Sequence, residues 1–274
     1  MHKEFWQELI KNKYAIPDGH SLEELTTELF SYLGSTDPEL RDDIGYMIYA
    51  NWLKAGLYSQ KVIFEHISLL TKNLKTGISE SNTDTVFLRA FSVLFLAEII
   101  HNDNKDPKLD KKTIDDLLEK ALLYLKKEKD PRGYIPIKGW AHALAHTADV
   151  LLVLAKNQHT DTGQHLRILN EITEKLTNSS DWVYIHGEDD RLSAAVLTIF
   201  QRGLLDINAI QEWLFSFTGA WEGAWTDEEQ TRAFFNIRNF LRSLYLQVVT
   251  EDELPHQDKL ESLILESIQK LRPF

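Results

Sequence analysis

KGWAHALAHTADVLLVLAKN, residues 138–157, has the spacing of a helix. Its apolar residues recur three and four positions apart, and the run is longer than an ordinary strand. Three polar residues interrupt it, His142, His146 and Asp149, at i, i+4 and i+7. At about 100° per residue they fall within roughly 60° of one another around a helix. Such a stripe is either the outer face of a packed helix or a site. Continued by helical steps it passes Val153 and reaches Lys156, as an outer face would. Between 139 and 155, however, no Lys or Glu occurs, and an exposed helical face usually carries long charged side chains.

Outward from this stretch the same periodicity covers the chain, and alternating strand patterns are confined to short pieces such as WVYIH at 182–186. The fold class expected is all-α. Helices are predicted near 3–12, 21–33, 38–55, 60–75, 84–102, 111–128, 139–157, 162–177, 190–202, 206–218, 227–250 and 256–271. Ser21 followed by Glu24 has the form of a capping box, Asp37 precedes a Pro38 suited to a first helical position, and Gly34, Gly56 and Gly203 suit helix ends. The helices pair in lengths of about 35 to 45 residues, which suits stacked helical hairpins in a HEAT-like α-solenoid or α/α superhelix. No repeated sequence signature accompanies them. One domain over 1–274 is expected, with 129–139 as the place where two lobes would meet.

The most apolar stretch, VFLRAFSVLFLAEII at 86–100, contains Arg89 and Glu98 and falls short of the roughly 20 residues a bilayer requires, so it is expected to be a core helix. The first residues, MHKEFWQELIKNKYAIPDG, alternate charged and apolar positions and lack the continuous apolar core of an export signal. With 42 acidic residues against 30 basic ones, the net charge of -12 argues against nucleic-acid and membrane partners. The chain has no cysteine, which excludes disulfides, thiolate metal sites and a cysteine nucleophile. A cytoplasmic location fits.

Any metal must therefore be held by His, Asp or Glu. Two imidazoles one helical turn apart can face one divalent metal ion, so His142, His146 and Asp149 form a candidate ligand set, with His186 as a further donor. The loops 129–139 and 178–190 flank this helix and can fold toward it. In HGEDDRL, Glu188, Asp189 and Asp190 are candidate catalytic carboxylates, since repulsion can drive paired carboxyl groups to different pKa values. Alternatively, Asp189 or Asp190 simply caps the next helix. Ala143 follows His142 where a zinc peptidase would carry glutamate, and no G-x-S-x-G elbow occurs.

Three arginines interrupt apolar helices: Arg89, and Arg238 with Arg242 one turn apart. A buried guanidinium calls for a carboxylate, and Asp42, Asp43 and Asp84 are the expected partners. Arg238 and Arg242 can instead clamp a phosphate or carboxylate, and Arg89 is a further ligand-binding candidate. In WLFSFTGAWEGAWTD at 213–227, core packing competes with a ligand groove lined by Trp221 and Trp225, and Trp140 is a further ligand-binding candidate.

RDDIGY at 41–46, FLRAFS at 87–92, GWAHALAHTADVL at 139–151, HGEDDRL at 186–192 and NIRNFLRSLY at 236–245 together resemble the uncharacterised bacterial family called domain of unknown function 2785. The resemblance implies a helical bacterial protein and brings no activity or catalytic roles. Two functions remain for the residues to decide between. The first is a soluble helical-repeat protein that binds a protein partner or small-molecule ligand through a groove lined by the His/Asp stripe. The second is a metal-dependent hydrolase using His142, His146 and nearby carboxylates.

Overall fold

Helix starts fall where a short polar side chain can take the first free backbone N–H groups. Ser21 Oγ accepts from the Glu24 amide at 3.1 Å, Asp206 accepts from Asn208, and Asp227 accepts from Gln230. Asp161 and Gln164 form a reciprocal capping box. The computed structural model describes residues 1–178, 182–219 and 226–271. The regular structure over these residues is α-helical, apart from one π-helix and a single hairpin of two-residue strands. It divides into two compact units: Met1–Lys108 with Glu128–His146, and Leu109–Lys127 with Thr147–Phe274.

The first unit holds α1 (Lys3–Lys11), α2 (Leu22–Ser31), a π-helix (Glu39–Tyr46), α3 (Met47–Lys54), α4 (Gln60–Asn73), α5 (Thr85–Asp103) and the hairpin β1 (Tyr134–Ile135) with β2 (Gly139–Trp140). Helix α5 contacts the π-helix, α3 and α4, and that surround explains an apolar sequence with no polar face. Phe87, Ala90, Phe91, Val93, Phe95 and Ile100 are buried along it. At 19 residues it is long and apolar enough to cross a bilayer, but 72% of that apolar stretch is buried inside the fold. It is a core helix.

The expected continuous α-helix over 38–55 is wider at its start, where ELRDDIGY winds as a π-helix. Gly45 shows why this sequence tolerates the wider turn. A Cβ there would lie 3.0 Å from the Leu40 carbonyl oxygen, one π-turn earlier, so a side chain would crowd the backbone.

The second unit holds α6 (Lys111–Lys127), all but the first turn of α7 (Ala143–Lys156), α8 (Thr162–Thr177), α9 (Glu188–Arg202), α10 (Ile207–Phe215), α11 (Glu228–Thr250) and α12 (Gln257–Lys270). The 23-residue α11 is its spine and packs against α8, α9 and α12. Phe240, Leu241 and Leu244 are buried there. Trp213 is core, as one of the two alternatives for its segment expected: its indole N–H donates to the Leu169 carbonyl at 3.1 Å and to Thr173 Oγ1 at 2.8 Å.

Candidate functional site

The histidine pair starts one step earlier in the fold than its spacing suggested. The predicted helix over 139–157 begins at Ala143, and the residues before it belong to the hairpin, where Tyr134 pairs with Trp140 and Ile135 with Gly139. Pairing continues as Ala141 donates to the Gly133 carbonyl at 2.8 Å and His142 to the Arg132 carbonyl at 3.2 Å. His142 then turns the chain with a left-handed backbone, φ +51, and its carbonyl accepts from the His146 amide at 2.9 Å. His142 is therefore the hinge between hairpin and helix rather than a member of the helix. Sequence periodicity cannot detect this, because the apolar spacing runs through the boundary unbroken.

Gly139 holds the hairpin down. Its φ is +76, and a Cβ would stand 2.8 Å from Pro38 Cβ and 3.1 Å from Arg41 Nη2. Only glycine permits both the backbone angle and that approach. Arg41 Nη2 donates to the Lys138 carbonyl at 3.0 Å, and Lys138 Nζ reaches both Asp84 carboxylate oxygens at 2.7 and 2.8 Å. Arg132 adds a fork onto Asp130 and a bond to the Thr83 carbonyl.

Beneath the hairpin the rings form a series. Trp140 stacks on His142 with centroids 4.2 Å apart and planes 26° apart. His142 lies 5.8 Å from His146, and His146 lies 5.2 Å from Phe91. The Arg41 guanidinium then sits between Phe91 and Phe87, 4.7 and 4.3 Å from their centroids. Both imidazoles are buried, at 8% and 7% exposure, while Trp140 is 39% exposed. Burial pushes the Asp42 carboxyl up to about 6 even though Arg41 lies 2.8 Å away, because lost hydration outweighs the attraction of the guanidinium.

Asp149, His186 and the 188–190 carboxylates belong to the second unit. Asp149 is ion-paired with Arg191. The helix start at 188 has Gly187 as its cap residue, with φ +84, so neither Asp189 nor Asp190 caps it as one alternative expected. Glu188 is buried and its carboxylate accepts the His186 backbone N–H at 2.8 Å, while burial raises its pKa. Asp189 accepts from Ser243 Oγ at 3.1 Å, and the Asp190 carbonyl accepts from Gln247. Among the described residues no three His, Asp or Glu side chains gather in a metal-holding arrangement.

Arg89 is buried as expected, with a different carboxylate from those anticipated. Its Nε and Nη2 donate to the two oxygens of Glu128 at 2.6 and 2.9 Å, and Nη1 reaches the Thr76 carbonyl and Thr85 Oγ1. Asp84, one of the anticipated partners, serves Lys138, and Asp42 serves Arg41. Arg238 packs against the Phe235 and Phe234 rings, and Arg242 is exposed. Trp221 and Trp225 lie outside the described residues. Arg41 went unremarked as a buried cation in the sequence because it stands in a charged run, RDD, that reads as solvated surface. The exposed Ile137 was equally hidden.

A family model described as protein of unknown function (DUF2785) matches residues 74–246, more than half of the chain. No curated protein and no solved structure gives a match.

Proposed function

We propose, from the premise that the chain belongs to the DUF2785 family of unknown function, that it acts by binding a protein partner and that the hairpin of the first unit is the element that meets it. The observation that carries this is Ile137. It stands 92% exposed at the hairpin tip with a left-handed backbone, φ +72. A β-branched residue with that angle is strained by about 1–2 kcal/mol, and a large apolar side chain held in water gains nothing from folding. Glycine there would relieve both costs.

Tyr134 and Trp140, 52% and 39% exposed, flank it, so the tip offers three apolar side chains. Its one lysine, Lys138, is occupied by Asp84. Because Gly139, Arg41 and Arg132 already fix the backbone, little ordering remains to oppose association. The partner that suits such a tip has an apolar pocket, and a basic rim would suit the chain's charge of -12. The metal-dependent hydrolase is less well supported. A catalytic zinc takes about three protein ligands, and the described residues bring together His142 and His146 with no third such donor.

A photo-crosslinking side chain placed at position 137 in cells tests this. The expected result is one discrete adduct, reduced by Trp140→Ala and missing when the probe stands at the exposed Leu123. No adduct, or the same adduct from position 123, overturns the assignment. Ile137→Gly is expected to fold at least as stably as the parent while competing poorly for the captured partner.

A further inference from the structure

Most arginines among the described residues are engaged. Arg41 meets Asp42, Arg89 meets Glu128, Arg132 meets Asp130, Arg167 meets Glu119, Arg191 meets Asp149 and Arg232 meets Glu228. Arg202 donates to the carbonyls of Ala155, Lys156, Asn157 and Thr160. Arg238 and Arg242 depart from this pattern. They stand one turn apart on α11, and neither has an ion-pair or hydrogen-bond partner among the described residues. In a chain this acidic, two neighbouring cations without a carboxylate among the described residues are a departure that needs a cause.

Arg238 is also oriented. Its guanidinium lies 4.5 Å from the Phe235 centroid and 5.5 Å from that of Phe234. Its Nε is buried without a hydrogen-bond acceptor. Burial lowers its pKa, and the charge of Arg242 lowers it further. Like charges at i, i+4 destabilise a helix, and a buried N–H without an acceptor costs more. An oxyanion offsets both costs at once, accepting from the planar fork of one arginine while neutralising the pair. Asn239, between them in sequence and half-buried, adds an amide next to the pair.

We propose that Arg238 and Arg242 form an anion site on α11 that takes the phosphate or carboxylate group of a small-molecule ligand, with the Phe235 ring beside the group's organic part. The site lies wholly in the second unit and is independent of the hairpin.

The test is titration of the full chain at constant ionic strength with phenyl phosphate, benzoate and inorganic phosphate, using chloride as the control. The Nε–H resonance of Arg238 is expected to move saturably with the oxyanions and to stay still with chloride. A stronger response to phenyl phosphate assigns phosphate, and a stronger response to benzoate assigns carboxylate. Arg238→Gln and Arg242→Gln are each expected to weaken binding at least about tenfold. Arg238→Lys is expected to weaken it as well, since lysine keeps the charge and loses the fork. Arg232→Gln, upstream on the same helix, is expected to leave it unchanged. Equal response to chloride, or unchanged affinity in Arg242→Gln, overturns the site. So does a melting-temperature drop in Arg238→Gln as large as that in Arg89→Gln, which would mark the guanidinium as structural.

Discussion

Arg89 and Arg238 both interrupt apolar stretches of long helices, FLRAFS and NIRNFLRSLY, and the fold treats them in opposite ways. Around Arg89 it supplies both oxygens of Glu128, a carbonyl and a hydroxyl, so that the fully buried guanidinium has an acceptor at each of its three nitrogens. Around Arg238 it supplies two aromatic rings and a second cation. Charge on an apolar helix therefore carries no single meaning. A cation surrounded by acceptors holds a fold together, whereas one surrounded by rings and like charge lacks that counterpart, and this is the ground for the anion site proposed on α11.

The largest expected effect tests the first half of that contrast. Glu128→Ala leaves the Arg89 charge buried without its carboxylate and is expected to cost about 3–5 kcal/mol in denaturant unfolding. The double change Arg89→Met with Glu128→Leu is expected to recover much of it. A loss below about 1 kcal/mol for Glu128→Ala would place Arg89 in the same class as Arg238.

Next comes the hairpin anchor. Gly139→Ala combines a left-handed alanine with a 2.8 Å approach to Pro38 Cβ, and is expected to destabilise by about 2–4 kcal/mol. Its mirror is Ile137→Gly on the same loop, expected to be neutral or to stabilise by roughly 0.5–1 kcal/mol in thermal unfolding. Equal losses for the two would mean that the tip is held by packing rather than strained.

The second half of the contrast predicts little in the absence of ligand. Arg238→Gln should shift stability by no more than about 1 kcal/mol, since it gives up only the packing against the Phe234 and Phe235 rings. An exact match to the Glu128→Ala loss is the outcome that erases the distinction.

The last test is of pH. Burial pulls the His66 imidazole down to about 4, with Tyr49 Oη 3.0 Å from Nδ1. The unfolded chain therefore takes up that proton first, and this group's contribution to stability is complete above about 6.5 and lost as pH falls toward 4. Asp42, raised to about 6, works the other way: its contribution is complete below about 4 and lost as pH rises through 6. Asp42→Asn is thus expected to steepen the loss of stability between pH 6 and 4. An NMR titration of His66 with a midpoint near 6.5 would show that the ring is hydrated.

Much of the helical order was legible because helix formation is local. Ser21, Asp161 and Asp227 announce starts through bonds to residues three positions on, and the spacing over 228–250 identifies α11 directly. The buried state of Arg89 was legible too, since its neighbours are apolar on all sides. Its partner was not, because Glu128 lies 39 residues away and reaches it only through packing. The start of the histidine-bearing helix was not legible for a related reason. Periodicity constrains which face a residue takes once a helix exists, but it does not say where the chain turns into that helix.

The amino-acid sequence by itself determined the all-helical class, the approximate extent of most helices and the need of a buried arginine such as Arg89 for a counterpart, because these follow from interactions within a few residues. Tertiary structure alone decided that Glu128 satisfies Arg89, that Gly139 seats the hairpin against Pro38 and Arg41, that His142 stands outside α7, and that Ile137 is left in water. Each of these depends on segments distant in the chain meeting at ångström separations, and chain spacing alone does not encode which segments meet.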